Sequence, residues 1–266
     1  MAFTVSEIVV YPIKSLGGIS LQTALVEERG LQYDRRWVLV DADNFFITQR
    51  QNEQMALIDV QLDADGLRVF HRMKRIAPLT VPFVPQTTMS ETITIWDDTV
   101  LAVRVSDEAD AWFSLVLGMD CRLFYQPDES IRLTDPKYSI TKTEHTSFSD
   151  GYPILIVGQA SLDGLNERLE TPVSMKRFRA NIVFSGGEAH IEDSWKNFGI
   201  GEANLVGVKP CARCVLTTID PETATKGKEP LRTLNQYRNF NHKILFGQNL
   251  LVTKIGRISV GDLIEF

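Results

Sequence analysis

Short apolar segments alternating with polar residues fill the first hundred positions, over residues 5–11, 20–26, 36–41, 56–62, 67–71, 92–96 and 99–105. Seven period-two segments at this spacing predict strands of a barrel or curled sheet. Asp63-Ala-Asp-Gly66 and Asp97-Asp98 supply the turn chemistry for tight hairpins. A helix then opens at Asp107-Glu108 with Ala111, Trp112, Leu115 and Val116 on one face, and Gly118 ends it. A strand follows over 121–125. Residues 126–149, with Pro127 and Pro136, have no periodicity and read as a long connection or a lid.

The pattern changes near Tyr152. Residues 153–157 read as a buried strand, and 161–169 as a short helix with Ser161 as its N-cap and leucines at 162, 165 and 169. Strands are expected over 178–184, 203–208, 215–219, 250–255 and 258–265, and a short turn over 194–198. The last two strands suggest a closing hairpin bent at Gly256-Arg257. The chain is therefore β-rich, mainly β with a few helices.

Composition narrows the function classes. Hydrophobic residues make up 44% of the 266 and charged residues 23%, an ordinary globular balance that excludes wholesale disorder. With 28 Lys+Arg against 34 Asp+Glu the net charge is -6, which disfavours general nucleic-acid binding but leaves room for a local anion pocket. No apolar run reaches the roughly 20 residues of a membrane helix, and no signal-peptide pattern is seen, so no membrane association and a cytoplasmic location are expected. Cys121, Cys211 and Cys214 are too few for a disulfide framework or a four-thiolate cluster, so no iron–sulfur cluster is expected in this chain.

Three segments could carry chemistry. Cys211-Ala-Arg-Cys214 lies beside Lys209 and Arg213, and positive charge favours the thiolate that ligates a soft metal. The alternative is two small buried hydrophobes. Tyr11-Pro-Ile-Lys14-Ser15 with Gly17-Gly18, and Tyr33-Asp-Arg35-Arg-Trp37, could hold a phosphate or carboxylate, or make ordinary ion pairs. In Phe178-Arg-Ala-Asn-Ile182, Arg179 and Asn181 would share one strand face and could read a flat heterocycle. A satisfied cross-strand pair is the plainer reading. Glu192-Asp-Ser-Trp195 reads as structural, and the four histidines show no ligand spacing.

These motifs, in this order and with a terminal Val-Gly-Asp, resemble the MOSC superfamily over nearly the whole chain, and within it the YcbX-type proteins and the mitochondrial amidoxime-reducing component. The resemblance implies an N-terminal β-barrel domain (residues 1–120) packed on a MOSC β-barrel domain (121–266). It implies a molybdenum cofactor, one metal with one molybdopterin, whose metal is ligated by Cys214 as the catalytic residue. Lys14, Ser15, Arg35, Arg179, Asn181, Ala212 and Arg213 would surround the pterin and its phosphate, with Gly151 and Tyr152 of Asp150-Gly-Tyr-Pro153 at another contacting turn. The implied activity is reduction of N-hydroxylated compounds: hydroxylamines, amidoximes and N-hydroxylated bases. No ferredoxin-type Cys-x4-Cys-x2-Cys spacing occurs, so electrons are expected from a separate ferredoxin- or flavin-type protein. A cofactor carrier or sulfur-transfer protein is the alternative.

Overall fold

The computed structural model describes residues 2–266. Seven strands close a barrel in the order Ile154–Gly158, Ile182–Ser185, Phe3–Val10, Leu263–Glu265, Asn197–Ile200, Ala203–Ala212 and Lys243–Lys254, the last returning to the first. All neighbours are antiparallel except Ile154–Gly158 and Ile182–Ser185, which run parallel across the helix α1 at Gln159–Asn166. Alternate residues, among them Ile154 and Ile156, Ile182 and Phe184, point inward and fill the barrel with Leu205, Leu250 and Ile264.

A smaller ring precedes it. Trp37–Val40, Arg122–Tyr125, Asp98–Arg104 and Ser90–Ile95 form a four-stranded sheet, and bridges at Phe45 and Phe46 join its two edges. Val38, Phe46, Ile93, Val100, Phe124 and Phe148 fill this ring. The sheet Ile58–Asp63, Gly66–His71 and Leu79–Pro82 packs over a second core with Trp37, Met55 and Phe113. The two halves interlock, because Phe3–Val10 is a wall of the large barrel while Arg122–Tyr125 belongs to the small ring.

Several sequence expectations are revised. The helix Asp107–Leu117 (α2) is capped by the Ser106 side chain, which accepts from the Ala109 N–H, and buries Ala109, Trp112, Phe113 and Val116, while Ala111 and Leu115 face solvent. Ser161 is not an N-cap. Its helix begins after Gly158, and Ser161 turns inward to donate to the buried Glu192 carboxylate at 2.9 Å. Residues 215–219 form no strand, since Thr217 and Thr218 donate back to the carbonyls of Cys214 and Val215 and hold a 3-10 turn. Residues 191–194 are also a 3-10 turn, followed by the strand Asn197–Ile200.

The closing hairpin does not form. Gly256–Ser259 pairs with Thr23–Glu27, which puts Ile258 into the barrel core beside Ala24 and Val26, and Leu263–Glu265 pairs with Phe3–Val10. Residues 126–149 carry no helix or strand, yet they are pinned instead of loose. The buried Arg132 guanidinium donates to the carbonyls of Ser147, Ser149 and Asp150, fixing the turn that enters the barrel. No helix among the described residues is long and apolar enough to cross a membrane.

Candidate functional site

All ten residues singled out by the sequence line one cavity of about 260 Å³ between the small ring and the large barrel: Lys14, Ser15, Arg35, Gly151, Tyr152, Arg179, Asn181, Ala212, Arg213 and Cys214. Sequence separation hides this convergence. Lys14 and Ser15 arrive where the chain leaves the barrel wall and bridges to Trp37 through Ile13, and the Lys14 N–H donates to the Trp37 carbonyl at 2.8 Å. Arg179 follows the 3-10 turn Met175–Phe178, so the expected strand over 178–184 begins only at Ile182. Ala212, Arg213 and Cys214 come at the end of Ala203–Ala212.

Ser15, Arg35 and Arg179 all adopt positive φ, at 69°, 50° and 54°. Left-handed backbone at non-glycine residues costs free energy of roughly 1 kcal/mol or more and persists where the surroundings impose it. Three such residues lining one cavity mark a wall built to hold side chains in fixed directions.

The wall is strongly cationic. Lys14, Arg35, Arg50, Arg179, Lys209 and Arg213 face the cavity against the single carboxylate of Asp150, although the whole chain is acidic. Burial pulls Lys14 down to about 8, with Asp150 opposing the fall, and burial together with Arg35 pulls Arg179 down to about 10. Burial alone would raise Asp150, but Lys14 and Arg50 outweigh it and hold the carboxyl far below the usual range. Lys14 Nζ sits 2.6 Å from Asp150 Oδ1 and 2.7 Å from the Phe148 carbonyl.

Arg35 and Arg179 flank the Tyr11 ring, 4.5 and 4.1 Å from its centroid. Arg35 makes the ordinary ion pair that its neighbour suggested, donating to buried Asp34 at 2.5 Å, and also to Asn181 at 3.0 Å and the Arg179 carbonyl at 3.2 Å. Asn181 follows the plainer of its two readings, a satisfied polar side chain instead of a strand-face reader. Its amide is taken up by Val9, Leu155 and Arg35, so it orients Arg35. Gly151 has open space where a Cβ would lie, so nothing in its surroundings demands glycine.

Two guanidiniums keep unpartnered nitrogens. Arg179 donates to the Leu16 carbonyl at 2.7 Å, yet its buried Nη2 has no partner. Arg213 donates to the Phe178 carbonyl at 2.6 Å and to Cys211 Sγ at 3.0 Å, yet its Nε has none. Buried donors without acceptors cost about 1–3 kcal/mol each, and an anion in the cavity is the natural acceptor. At the mouth, Cys214 is exposed while Cys211 is half-buried. Among the described residues no three His, Cys, Asp or Glu side chains gather as a metal site.

Sequence reasoning missed Arg50, Lys209 and Asn249 as lining residues. Lys209 had been noted only as a neighbour of the thiols. Arg50 follows Thr48-Gln49 in a stretch without periodicity, and no local signal announces it.

A closed barrel joined to a smaller β-ring, with a cationic cleft between them ending at a thiol, defines a two-part protein of mainly β architecture. The model for the MOSC N-terminal beta barrel domain matches residues 2–120, and that for the MOSC domain matches 143–265. The chain is 33% identical to mitochondrial amidoxime-reducing component 1 of Mus musculus, over 97% of this chain and 81% of that protein. It is 34% identical to mitochondrial amidoxime reducing component 2 of Rattus norvegicus and 33% to component 1 of Homo sapiens, again over 97% of this chain and 82% and 81% of theirs. The chain belongs to the MOSC family that contains these amidoxime-reducing components.

Proposed function

We propose that the chain is a molybdenum-cofactor-dependent oxidoreductase that reduces N-hydroxylated compounds with electrons from a separate redox protein. The observation that carries this reading is the pair of orphaned buried guanidinium nitrogens, on Arg179 and Arg213, in a cationic cavity ending at the exposed Cys214. A pterin phosphate supplies the missing acceptors, and a soft thiolate suits a metal that brings its remaining ligands with it. The similarity to the amidoxime-reducing components supports the substrate class.

Lys14, Arg179 and Arg213 would hold the phosphate, Lys14 keeping its proton at Nζ at neutral pH because its pKa is about 8. Arg35, locked by Asp34 and Asn181, fixes the wall through Tyr11 and the Arg179 carbonyl. Cys214 would give its Sγ to the metal. When bound, the cofactor supplies two-electron chemistry, in which an N–OH group takes two electrons and two protons and leaves an N–H and water.

The test is production in a host that makes the cofactor, followed by molybdenum and pterin analysis and turnover of an amidoxime with a reduced viologen dye. Stoichiometric cofactor with turnover supports the reading. Cofactor without turnover favours the carrier or sulfur-transfer alternative, and a folded chain that takes up neither metal nor pterin refutes both.

A further inference from the structure

Arg50 lies outside every motif above, yet its Nε donates to Cys214 Sγ at 3.2 Å. Its guanidinium is held from two more sides. Nη2 donates to Asp150 Oδ2 at 2.7 Å, and the group lies 4.5 Å from the centroid of the Trp96 ring. Trp96 in turn donates from Nε1 to Asp150 Oδ1 at 3.3 Å, and Asp150 is anchored by Lys14. Trp96 sits at the turn between Ser90–Ile95 and Asp98–Arg104 with φ at 56°, a strained conformation that keeps its ring against Arg50. Only 16% of the Arg50 side chain is exposed. A long flexible side chain with three fixed contacts has lost the freedom that a surface arginine keeps, and its Nε–H points at one sulfur.

We infer that Arg50 is a positioning residue for Cys214, contributed by the small ring: it fixes the direction of the sulfur and draws charge from it once it ligates the metal. The inference rests on the reading of Cys214 as the metal ligand. Hydrogen bonds to a ligating sulfur withdraw electron density from the metal and raise its reduction potential, and partners of this kind change affinity or activity about 10–100-fold when removed. Trp96 and Asp150 act one step further out, by holding the guanidinium.

The experiment compares Arg50→Gln, Arg50→Lys and Trp96→Leu with the unsubstituted chain, all loaded with cofactor. It reads molybdenum and pterin content, a redox titration followed by the paramagnetic metal signal, and kcat and KM with a viologen donor. Arg50→Gln should keep its cofactor, lose about tenfold in kcat at unchanged KM, and shift the oxidised-to-reduced ratio about tenfold towards oxidised, 59 mV for a one-electron couple. Arg50→Lys should recover part of that shift through its charge, and Trp96→Leu should move the potential the same way by less. Potentials equal to the unsubstituted chain in all three overturn the inference and leave the proposed function standing. Loss of cofactor from Arg50→Gln also overturns it, because Arg50 would then hold the cofactor itself instead of orienting Cys214. An unsubstituted chain that takes up no molybdenum overturns both, and that measurement is independent of the variants.

Discussion

Arg35 and Arg179 flank the same tyrosine ring, but replacing each by alanine should have opposite consequences for fold and for binding. Arg35→Ala strips the partner from Asp34, whose side chain is 1% exposed, and removes bonds to Asn181 and the Arg179 carbonyl. The Tyr11 N–H, at 2.8 Å, remains on the carboxylate. Breaking a buried ion pair from one side costs about 3–5 kcal/mol, which in a chain of this size lowers Tm by about 10 °C. Arg179 has no carboxylate partner. Holding its charge at a pKa of about 10 costs the fold about 3 kcal/mol. Arg179→Ala removes that cost together with one charged hydrogen bond, worth about 1.5–3 kcal/mol, and one cation–π contact of about 1 kcal/mol. The terms nearly cancel, so Tm should stay within a few degrees. Cofactor content per folded molecule should nevertheless fall sharply in Arg179→Ala, because the orphaned Nη2 is the group left for an anion. The assay is molybdenum and pterin per folded chain beside thermal unfolding of the cofactor-free protein. Full occupancy in Arg179→Ala, or equal destabilisation by both substitutions, would refute the reasoning.

Three further outcomes are expected. Cys214→Ser should abolish amidoxime reduction while Cys211→Ser retains most of it, since a hydroxyl is a poor ligand for a soft site; equal and complete loss in both folded variants would favour a dithiol mechanism. The Lys14 ammonium, held at about 8 by burial against an ordinary 10.5, gives up its proton in the folded chain before the unfolded chain does. Its contribution to stability should therefore rise as pH climbs from 8 to 10.5, while affinity for a phosphate ligand falls through pH 8; denaturant unfolding and phosphate binding across that range, with Lys14→Met as the control that lacks this part of the slope, measure both. Gly30→Ala should destabilise by about 3 kcal/mol, because φ is +116° there and an added Cβ would lie 2.6 Å from the Pro153 carbonyl oxygen. Its Tm reads this directly.

Much of the fold was legible because strands announce themselves by alternation. The hairpin about Asp63-Ala-Asp-Gly66 and the helix ended by Gly118 follow from local chemistry alone. Pairing partners were not legible. Leu263–Glu265 is β-like in either arrangement, and only its distant partners Phe3–Val10 and Asn197–Ile200 decide that it closes a barrel instead of a hairpin. Residues 215–219 show the limit of propensity, since β-branched Val215, Thr217 and Thr218 turn to 3-10 when threonine hydroxyls bond back to the chain. The site was legible through its ordered motifs. Arg50 was not, because its role depends on Trp96 and Asp150, 46 and 100 residues away.

The place of Phe3–Val10 in the large barrel bears on how the molecule comes into being. During synthesis this segment emerges early, but two of its three partners, Ile182–Ser185 and Leu263–Glu265, follow some 170 to 260 residues later. Domains made on the ribosome usually fold in order as they emerge, and pairings this distant in sequence are slow to form. Only Ile19–Leu21, paired along residues 8–10, is near in sequence, so the rest of this early strand stays open at its edges until residues 182–185 and 263–265 have been made. Lys14 and Ser15 are carried on the end of that same strand, so the cleft is among the last parts of the molecule to be completed. A chain cut short of residue 263 lacks the strand that closes the large barrel, so its cationic cleft should bind anions more weakly than that of the chain carrying Leu263–Glu265.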